Sequence, residues 1–279
     1  MSFCMIEDRL KDRLKRTPRE PATCAVITGA TRGIGEAFAR ELAPTTRLIL
    51  TGRDEERLAA LKAEFGPRTE IVSADLTTDE GIGAVAATAE EAGCDLLINN
   101  AGVGDYGSFL DVDFEKHRQT LRVDNEAVLA LIHRLVPGMV ERAELSGRRA
   151  GVINVASSLA FFPVPTFATY AAAKAFVLSF TESFAAEMAD SPIDILAACP
   201  GAVKTGFGER AGYRGAAMPG AMSAEKVARA SLAALGRQRT LVIGPVSSAA
   251  FGPVAFARSM FGQAFMRASQ VMDRVQTRG

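Results

Sequence analysis

The stretch that most narrows the possibilities is Cys24-Ala25-Val26-Ile27 running straight into Thr28-Gly29-Ala30-Thr31-Arg32-Gly33-Ile34-Gly35. A short apolar run of this kind reads as a buried strand, and the amphipathic stretch 33–42 follows the glycines at once. Between a strand and a helix, glycine can serve three ends. It permits a tight turn, lets the backbone approach a pyrophosphate, and lets the helix pack closely on the strand. Gly29, Gly33 and Gly35 are spaced for those duties, and the helix would present its first amides to the phosphates.

The same alternation continues along the chain. Short β-branched apolar runs at 24–28, 47–51, 70–73, 95–98, 151–155, 193–198 and 240–243 predict seven strands. Helical spacing occupies 33–42, 55–65, 79–92, 114–142, 170–189 and 224–235 between them. Strands apolar on both faces, alternating with helices, predict a doubly wound, Rossmann-like α/β fold with a seven-stranded parallel sheet and helices on both faces. Residues 1–20 are charge-rich and read as an N-terminal extension, and 21–245 as a single catalytic domain. Within that domain the glycine-rich stretch 206–222 follows a strand end, where open sheets bind ligands, and reads as a substrate lid. The apolar tail 246–279 is expected to pack on the body or on a partner subunit.

Composition removes several alternatives. Lys plus Arg and Asp plus Glu both number 32, so no charge excess draws the chain to nucleic acid. Cys4, Cys24, Cys94 and Cys199 are scattered, and neither their spacing nor a secretory signal suggests a disulfide framework. The expectation is free thiols in a reducing, cytoplasmic compartment. With only His117 and His133 available, no metal site is expected. No apolar run reaches the roughly 20 residues that a bilayer requires.

Further residues extend the nucleotide end. Arg53 lies just past the second strand, where an acid would accept the ribose hydroxyls of an unphosphorylated dinucleotide. An arginine there would instead pair with a 2′-phosphate, and Arg32 in the glycine loop can reach the same group. Asp75-Leu76 follows the third strand, where a carboxylate can accept from the adenine amino group. Asn99-Asn100-Ala101-Gly102 closes the fourth with side chains that can stitch strand ends together.

The chemical end is Tyr170 with Lys174 one helical turn later and Ser157 thirteen residues before. A phenol of pKa about 10 is too weak an acid to ionise at neutral pH. A cation on the same helical face stabilises phenolate and is expected to bring that pKa down. Lys174 can also reach the nicotinamide ribose, and Ser157 can donate to a substrate oxygen.

With these residues in hand, the chain resembles a classical short-chain dehydrogenase/reductase of the NADP(H)-preferring type. The resemblance rests on Thr28-Gly29-x-x-x-Gly33-x-Gly35, Asn99-Asn100-Ala101-Gly102, Asn154-Val155-Ala156-Ser157, Tyr170-Ala171-Ala172-Ala173-Lys174 and Pro200-Gly201-Ala202-Val203-Lys204-Thr205. It spans about residues 22–245. It implies that Tyr170 is the acid/base and that Ser157 positions the carbonyl or alcohol, while Lys174 holds the ribose. Gly29, Thr31, Arg32, Gly33, Ile34, Gly35, Arg53, Asp75, Leu76, Asn100, Ala101 and Gly102 would contact NADP(H), as would Tyr170 and Lys174. Pro200, Gly201, Val203 and Thr205 would lie beside the nicotinamide.

One position departs from the family. Its proton relay often uses an asparagine in the helix before the serine strand. Counting back from Pro137-Gly138-Met139 puts Asp124 there, with Asn125 next to it. Adjacent side chains point about 100° apart on a helix, so either can be the relay residue but not interchangeably. The loop 141–150 reads as longer than usual and loosens the count.

The expected activity is NADPH-dependent interconversion of a ketone or aldehyde and an alcohol. Val103, Phe109, Leu159, Phe161, Phe162 and Val164 suggest an apolar substrate. A dinucleotide-sensing or scaffold protein on the same fold is the alternative, but it need not keep Ser157, Tyr170 and Lys174 together. A nucleotide-sugar epimerase would need a larger second domain. A homodimer, possibly a homotetramer, is expected. The helices at 114–142 and 170–189 form the family's common interface, and they carry Val128, Leu131, Leu135, Phe176, Phe180 and Phe184.

Overall fold

The computed structural model describes residues 20–213, 220–245, 247–255, 257 and 258. The N-terminal extension up to residue 19, the middle of the lid at 214–219, and the tail from 259 lie outside the described residues, together with 246 and 256.

The chain runs β1 (Cys24–Thr28), α1 (Gly33–Leu42), β2 (Arg47–Gly52), α2 (Glu55–Phe65), β3 (Thr69–Ser73), α3 (Asp79–Glu91) and β4 (Leu96–Asn99). Then come α4 (Phe114–Leu121), a π-helical turn (Arg122–Glu126), α5 (Ala127–Ser146), β5 (Ala150–Val155) and a 3-10 turn (Ser158–Phe161). They are followed by α6 (Ala168–Glu187), β6 (Ile193–Pro200), α7 (Phe207–Arg210), α8 (Ala224–Ala234) and β7 (Thr240–Ile243). The sheet order is β3-β2-β1-β4-β5-β6-β7, and every pair is parallel. All seven strands stand where the apolar runs predict them, with ends displaced by a residue or two.

Each strand divides its side chains between two cores, as the twofold period of a strand requires. Ile27, Leu50, Ile98, Ile153 and Leu196 meet α1, α2 and α8 through Phe38, Leu58, Leu61 and Val227. Their neighbours Val26, Ile49, Leu97, Val152 and Ile195 meet α3, α5 and α6 through Val85, Leu131, Leu135 and Ala185. Burial of each such side chain is worth about 1.5–3 kcal/mol. Strands with apolar residues in unbroken succession are therefore the ones this sheet needs.

Two helical expectations are corrected. The stretch 114–142 is not one regular helix, because the π turn adds a residue between α4 and α5 and shifts the phase of everything after it. Nor is 141–150 mainly loop. The helix runs to Ser146, where Gly147 at φ +70° supplies the left-handed stop, leaving a short link to β5. Val128, Leu131 and Leu135, expected as apolar surplus for a subunit interface, are core residues of α5. Phe176 remains on the outside at 42% exposure, beginning a ladder of stacked rings with Phe180 and Phe184 along α6.

The tail's described part packs on the body. Phe251 lies parallel to both Phe161 and Phe162, and Arg258 pairs with Glu182 of α6 at 2.9 Å. Cys24, Cys94 and Cys199 are buried free thiols. Among the described residues, no helix is long and apolar enough to cross a membrane, and no cluster of side chains could hold a metal.

The carboxyl ends of β4 and β5 are stitched by buried side chains. Asn99 Nδ2 donates to Asn154 Oδ1 at 2.9 Å, and Asn154 Nδ2 donates to Thr181 Oγ1 of α6 at 2.9 Å. Asn154→Ala leaves the Asn99 amide without its acceptor in a dry place, which costs about 1–3 kcal/mol. A urea titration should show that loss as a lower midpoint with an unchanged slope. A midpoint within experimental error of the unmutated protein would show that the stitch carries no weight.

Candidate active site

The first wall of the site is the glycine turn. Gly29 and Gly33 take φ of +63° and +58°, a region that side chains other than glycine rarely adopt. A Cβ at Gly35 would lie 2.2 Å from the Gly29 carbonyl oxygen, so α1 can rest against the turn only without one. The N-termini of α2, α3, α4 and α8 are capped by the side chains of Asp54, Thr78, Asp113 and Ser223. At α1 the capping position is Arg32, which supplies no side-chain bond. Its first amides are left for an anion.

The end of β4 is pinned to this turn. Thr28 Oγ1 accepts from the amides of Asn100 and Ala101 at 2.9 Å each, and Asn100 Nδ2 donates to the Thr28 carbonyl at 2.9 Å. Arg32 reaches Asp54 at 3.2 Å, an exposed pair of little weight. Arg53 is exposed and has no ion-pair partner among the described residues. Asp75 is exposed at the end of β3, its Oδ1 accepting from Thr77 N at 2.9 Å, while Leu76 is buried. An uncapped helix start and a cradle that a Cβ would fill fit the pyrophosphate of a dinucleotide.

The second wall follows β6. Thr205 lies over the glycine turn, since a Cβ at Gly33 would meet its side chain at 2.9 Å. Val203 bridges to Met222 through the flanking residues, with Lys204 N donating to Met222 O and Met222 N to Ala202 O, both at 2.9 Å. The residues just before the lid are thus zipped to its last residue. Its first part turns back over the site. Phe207 packs on the Tyr170 ring at 5.1 Å between centroids, Tyr106 stands edge-on to Tyr213, and Tyr106 N donates to Ala211 O at 2.7 Å.

Between these walls lie the reactive groups. Ser157 ends the β5 segment and is buried, its Oγ accepting from Leu159 N at 3.1 Å. Tyr170 is half-buried on the first turn of α6, and Ser157 lies close enough to its phenol to favour the phenolate. Lys174 Nζ lies 5.6 Å from the Tyr170 ring centroid, donates to Val155 O at 3.1 Å, and meets Asp124 Oδ2 at 2.8 Å. Asp124 Oδ1 accepts from Val103 N at 2.8 Å.

Asp124 and Asn125 both lie in the π turn, and both are buried. In a regular helix neighbouring side chains diverge by about 100°. Here the two take different partners. Asn125 Nδ2 donates to Ala173 O at 2.9 Å, whereas Asp124 alone of the two meets Lys174.

The electrostatics depart from expectation. Burial pushes the Tyr170 phenol above its ordinary value. Lys174 pulls it down, Asp124 pushes it up again, and Ser157 favours the phenolate. The lysine acts in the expected sense, but it does not prevail. Burial also works to lower the Lys174 ammonium, yet Asp124 and then Tyr170 outweigh it and hold the lysine protonated. Burial raises the Asp124 carboxyl against the pull of Lys174 and of the Val103 amide.

Several contributors escape a reading of the sequence. A Cβ at Gly104 would fall 2.7 Å from the Tyr170 ring, so that glycine lets the chain pass the phenol. Its only signal is the run of small residues after Asn100. His117, with Nδ1 on Thr169 Oγ1 at 2.9 Å and Nε2 on Phe109 O at 3.1 Å, ties the loop after β4 to the start of α6. The Tyr106–Tyr213 contact joins residues more than a hundred positions apart and leaves no local pattern.

Comparison with known proteins agrees with this geometry. The short chain dehydrogenase family model matches residues 23–213. The chain is 30% identical over 275 residues to dehydrogenase/reductase SDR family member 7B of Xenopus laevis, covering 91% of this chain and 84% of that one. A short-chain dehydrogenase from Sphingobium yanoikuyae in complex with NADPH superposes with a TM-score of 0.75 at 29% identity, covering 86% of this chain and 94% of the other. A 3-ketoacyl-(acyl-carrier-protein) reductase from Brucella melitensis complexed with NADH gives a TM-score of 0.71 at 26% identity, covering 79% and 96%.

Proposed function

The chain belongs to the short chain dehydrogenase family of oxidoreductases, and on that footing we propose that it interconverts a carbonyl compound and its alcohol with NADP(H). The observation that carries this reading is the convergence of Ser157, Tyr170 and Lys174 beside an uncapped glycine turn. The bound nicotinamide would supply or accept the hydride. Gly29, Thr31, Gly33, Ile34 and Gly35 would hold its pyrophosphate, with Arg32 and Arg53 on the 2′-phosphate. Asp75 and Leu76 would flank the adenine, and Asn100, Ala101 and Gly102 would form the wall behind the cofactor. Pro200, Gly201, Val203 and Thr205 would border the nicotinamide. The two neighbours bind NADPH and NADH respectively, so they support a nicotinamide dinucleotide, and the two arginines support its phosphorylated form.

Tyr170 gives a proton to the carbonyl oxygen, or takes one from the alcohol. Ser157 donates to the same oxygen as its charge changes. Lys174 orients the ribose and stabilises the phenolate. Asp124, in contact with Lys174, is the relay residue. The rings of Tyr106, Phe161, Phe167, Phe207 and Tyr213 around the site favour an apolar substrate. Buried free thiols suit a reducing, cytoplasmic setting. The exposed ring of Phe176 favours a homodimer through α5 and α6, with a tetramer as its extension.

Tyr170→Phe keeps the ring and removes the transferable proton. Turnover on a carbonyl panel, read by NADPH oxidation, should fall about 10²-fold or more with NADPH affinity near normal. Full activity in that variant would sink the acid/base assignment. A forked contact to the 2′-phosphate is worth about 1.5–3 kcal/mol, so Arg53→Asp should reverse the preference for NADPH over NADH in calorimetric titration. Equal affinities for the two in the unmutated protein would remove the NADP(H) reading. Light scattering should give the mass of two chains and, for Phe176→Glu, of one; a monomer at the outset would count against self-association.

A further inference from the structure

Lys174 and Asp124 meet below the surface of the site. Their side chains are 5% and 0% exposed, and their charged atoms are 2.8 Å apart. Gly102 roofs the pair, since a Cβ there would come within 3.2 Å of both Lys174 Nζ and Asp124 Oδ2. Both partners are tied to the strand ends, Lys174 through Val155 O and Asp124 through Val103 N.

This geometry changes what the lysine does to its neighbour. A lone ammonium close to a phenol stabilises the phenolate. An ammonium bonded to a carboxylate acts at a distance as a dipole, whose field fades faster than that of a single charge. We propose, resting on Tyr170 as the acid/base of the function above, that Asp124 sets the protonation state of the site. By pairing with Lys174 it adds to burial in keeping Tyr170 a phenol at neutral pH, so the site donates a proton to a carbonyl oxygen there and takes one from an alcohol only in alkaline solution.

Burial pushes the phenol up in the first place, and of the groups that face Tyr170 the others do not add to it. Ser157 on the β5 side favours the phenolate. Phe207 on the lid packs against the ring and carries no charge. Cys199 on β6 acts on Lys174, but burial pushes its thiol far up and keeps it neutral. Among the described residues, Asp124 is the one anion that acts on Tyr170, and it acts upward, in the same sense as burial. The proton leaving Tyr170 Oη would end on the substrate oxygen, which takes the electron pair of the C=O π bond as the carbonyl carbon forms its new C–H bond with the hydride supplied by NADPH in the proposed function. Solvent then restores the phenol.

The chain has three tyrosines, Tyr106, Tyr170 and Tyr213, so phenolate absorbance can be followed in the free protein without cofactor or substrate. The transition missing from Tyr170→Phe is that of Tyr170. It should lie above the ordinary value of about 10 in the unmutated protein and fall by about one pH unit or more in Asp124→Asn. With a carbonyl substrate and its alcohol, the falling limb of reductive kcat/KM and the rising limb of oxidative kcat/KM should move down together, because one group serves both directions. An unmoved spectral midpoint in folded Asp124→Asn overturns the proposal. If that variant does not fold, Asp124→Ala, with room for a water beside Lys174, gives the same reading by the same shift. A midpoint that moves in a protein without turnover upholds the coupling and sinks the proposed activity instead.

Discussion

Every strand of the sheet is parallel, and most of the molecule follows from that constraint. Parallel neighbours must be joined by crossovers, which lay helices on both faces and leave all carboxyl ends along one edge. The chain winds outward from β1 to β3 and then returns to start again at β4, which opens a crevice between the two halves. The glycine turn, Asn100 to Gly102, Ser157 and Pro200 to Thr205 each follow a strand end and so meet at this edge. Thr28 and Asn100 then lock the two sides of the crevice by hydrogen bonds between side chain and backbone. A site drawn from nearly 180 residues of chain is thus assembled by one geometric rule.

The ion pair at the back of that edge is a second-order consequence with chemical weight. Taking an ammonium and a carboxylate out of water is costly unless geometry and further hydrogen bonds compensate. Here both partners have such bonds, to Val103 N and Val155 O, and the acid is carried on the π turn. A residue of the π turn therefore acts on the phenol through the lysine. The lid acts on the same group from outside, through Phe207, and its zipped base at Val203 and Met222 keeps that contact close to the strand end.

Much of this was legible in the sequence because it is written in local patterns. Strands buried on both faces leave unbroken apolar runs, and helices with one buried face leave a period near 3.6. Gly29, Gly33 and Gly35 are readable because nothing else tolerates their positive φ or their close contacts. Tyr170 and Lys174 are readable because one helical turn places them on a common face. The break at Arg122 to Glu126 was not readable, since a π turn has no composition of its own and arises from what the helix packs against. The run to Ser146 was missed for a related reason, because polar residues at a helix end resemble a loop until Gly147 is seen to stop it.

The sequence by itself determined the sheet, the order of its elements, the glycine turn and the serine–tyrosine–lysine set, all of which rest on spacing within a few residues or on strand ends. It left open which of Asp124 and Asn125 reaches the lysine, and it had Lys174 bringing the phenol down. Tertiary structure decided both. The phase of a helix after an irregular turn depends on its neighbours, and Asp124 meets Lys174 only once α6 lies across that turn. The charge felt by Tyr170 depends on burial and on an acid 46 residues away, and chain spacing carries no information about either.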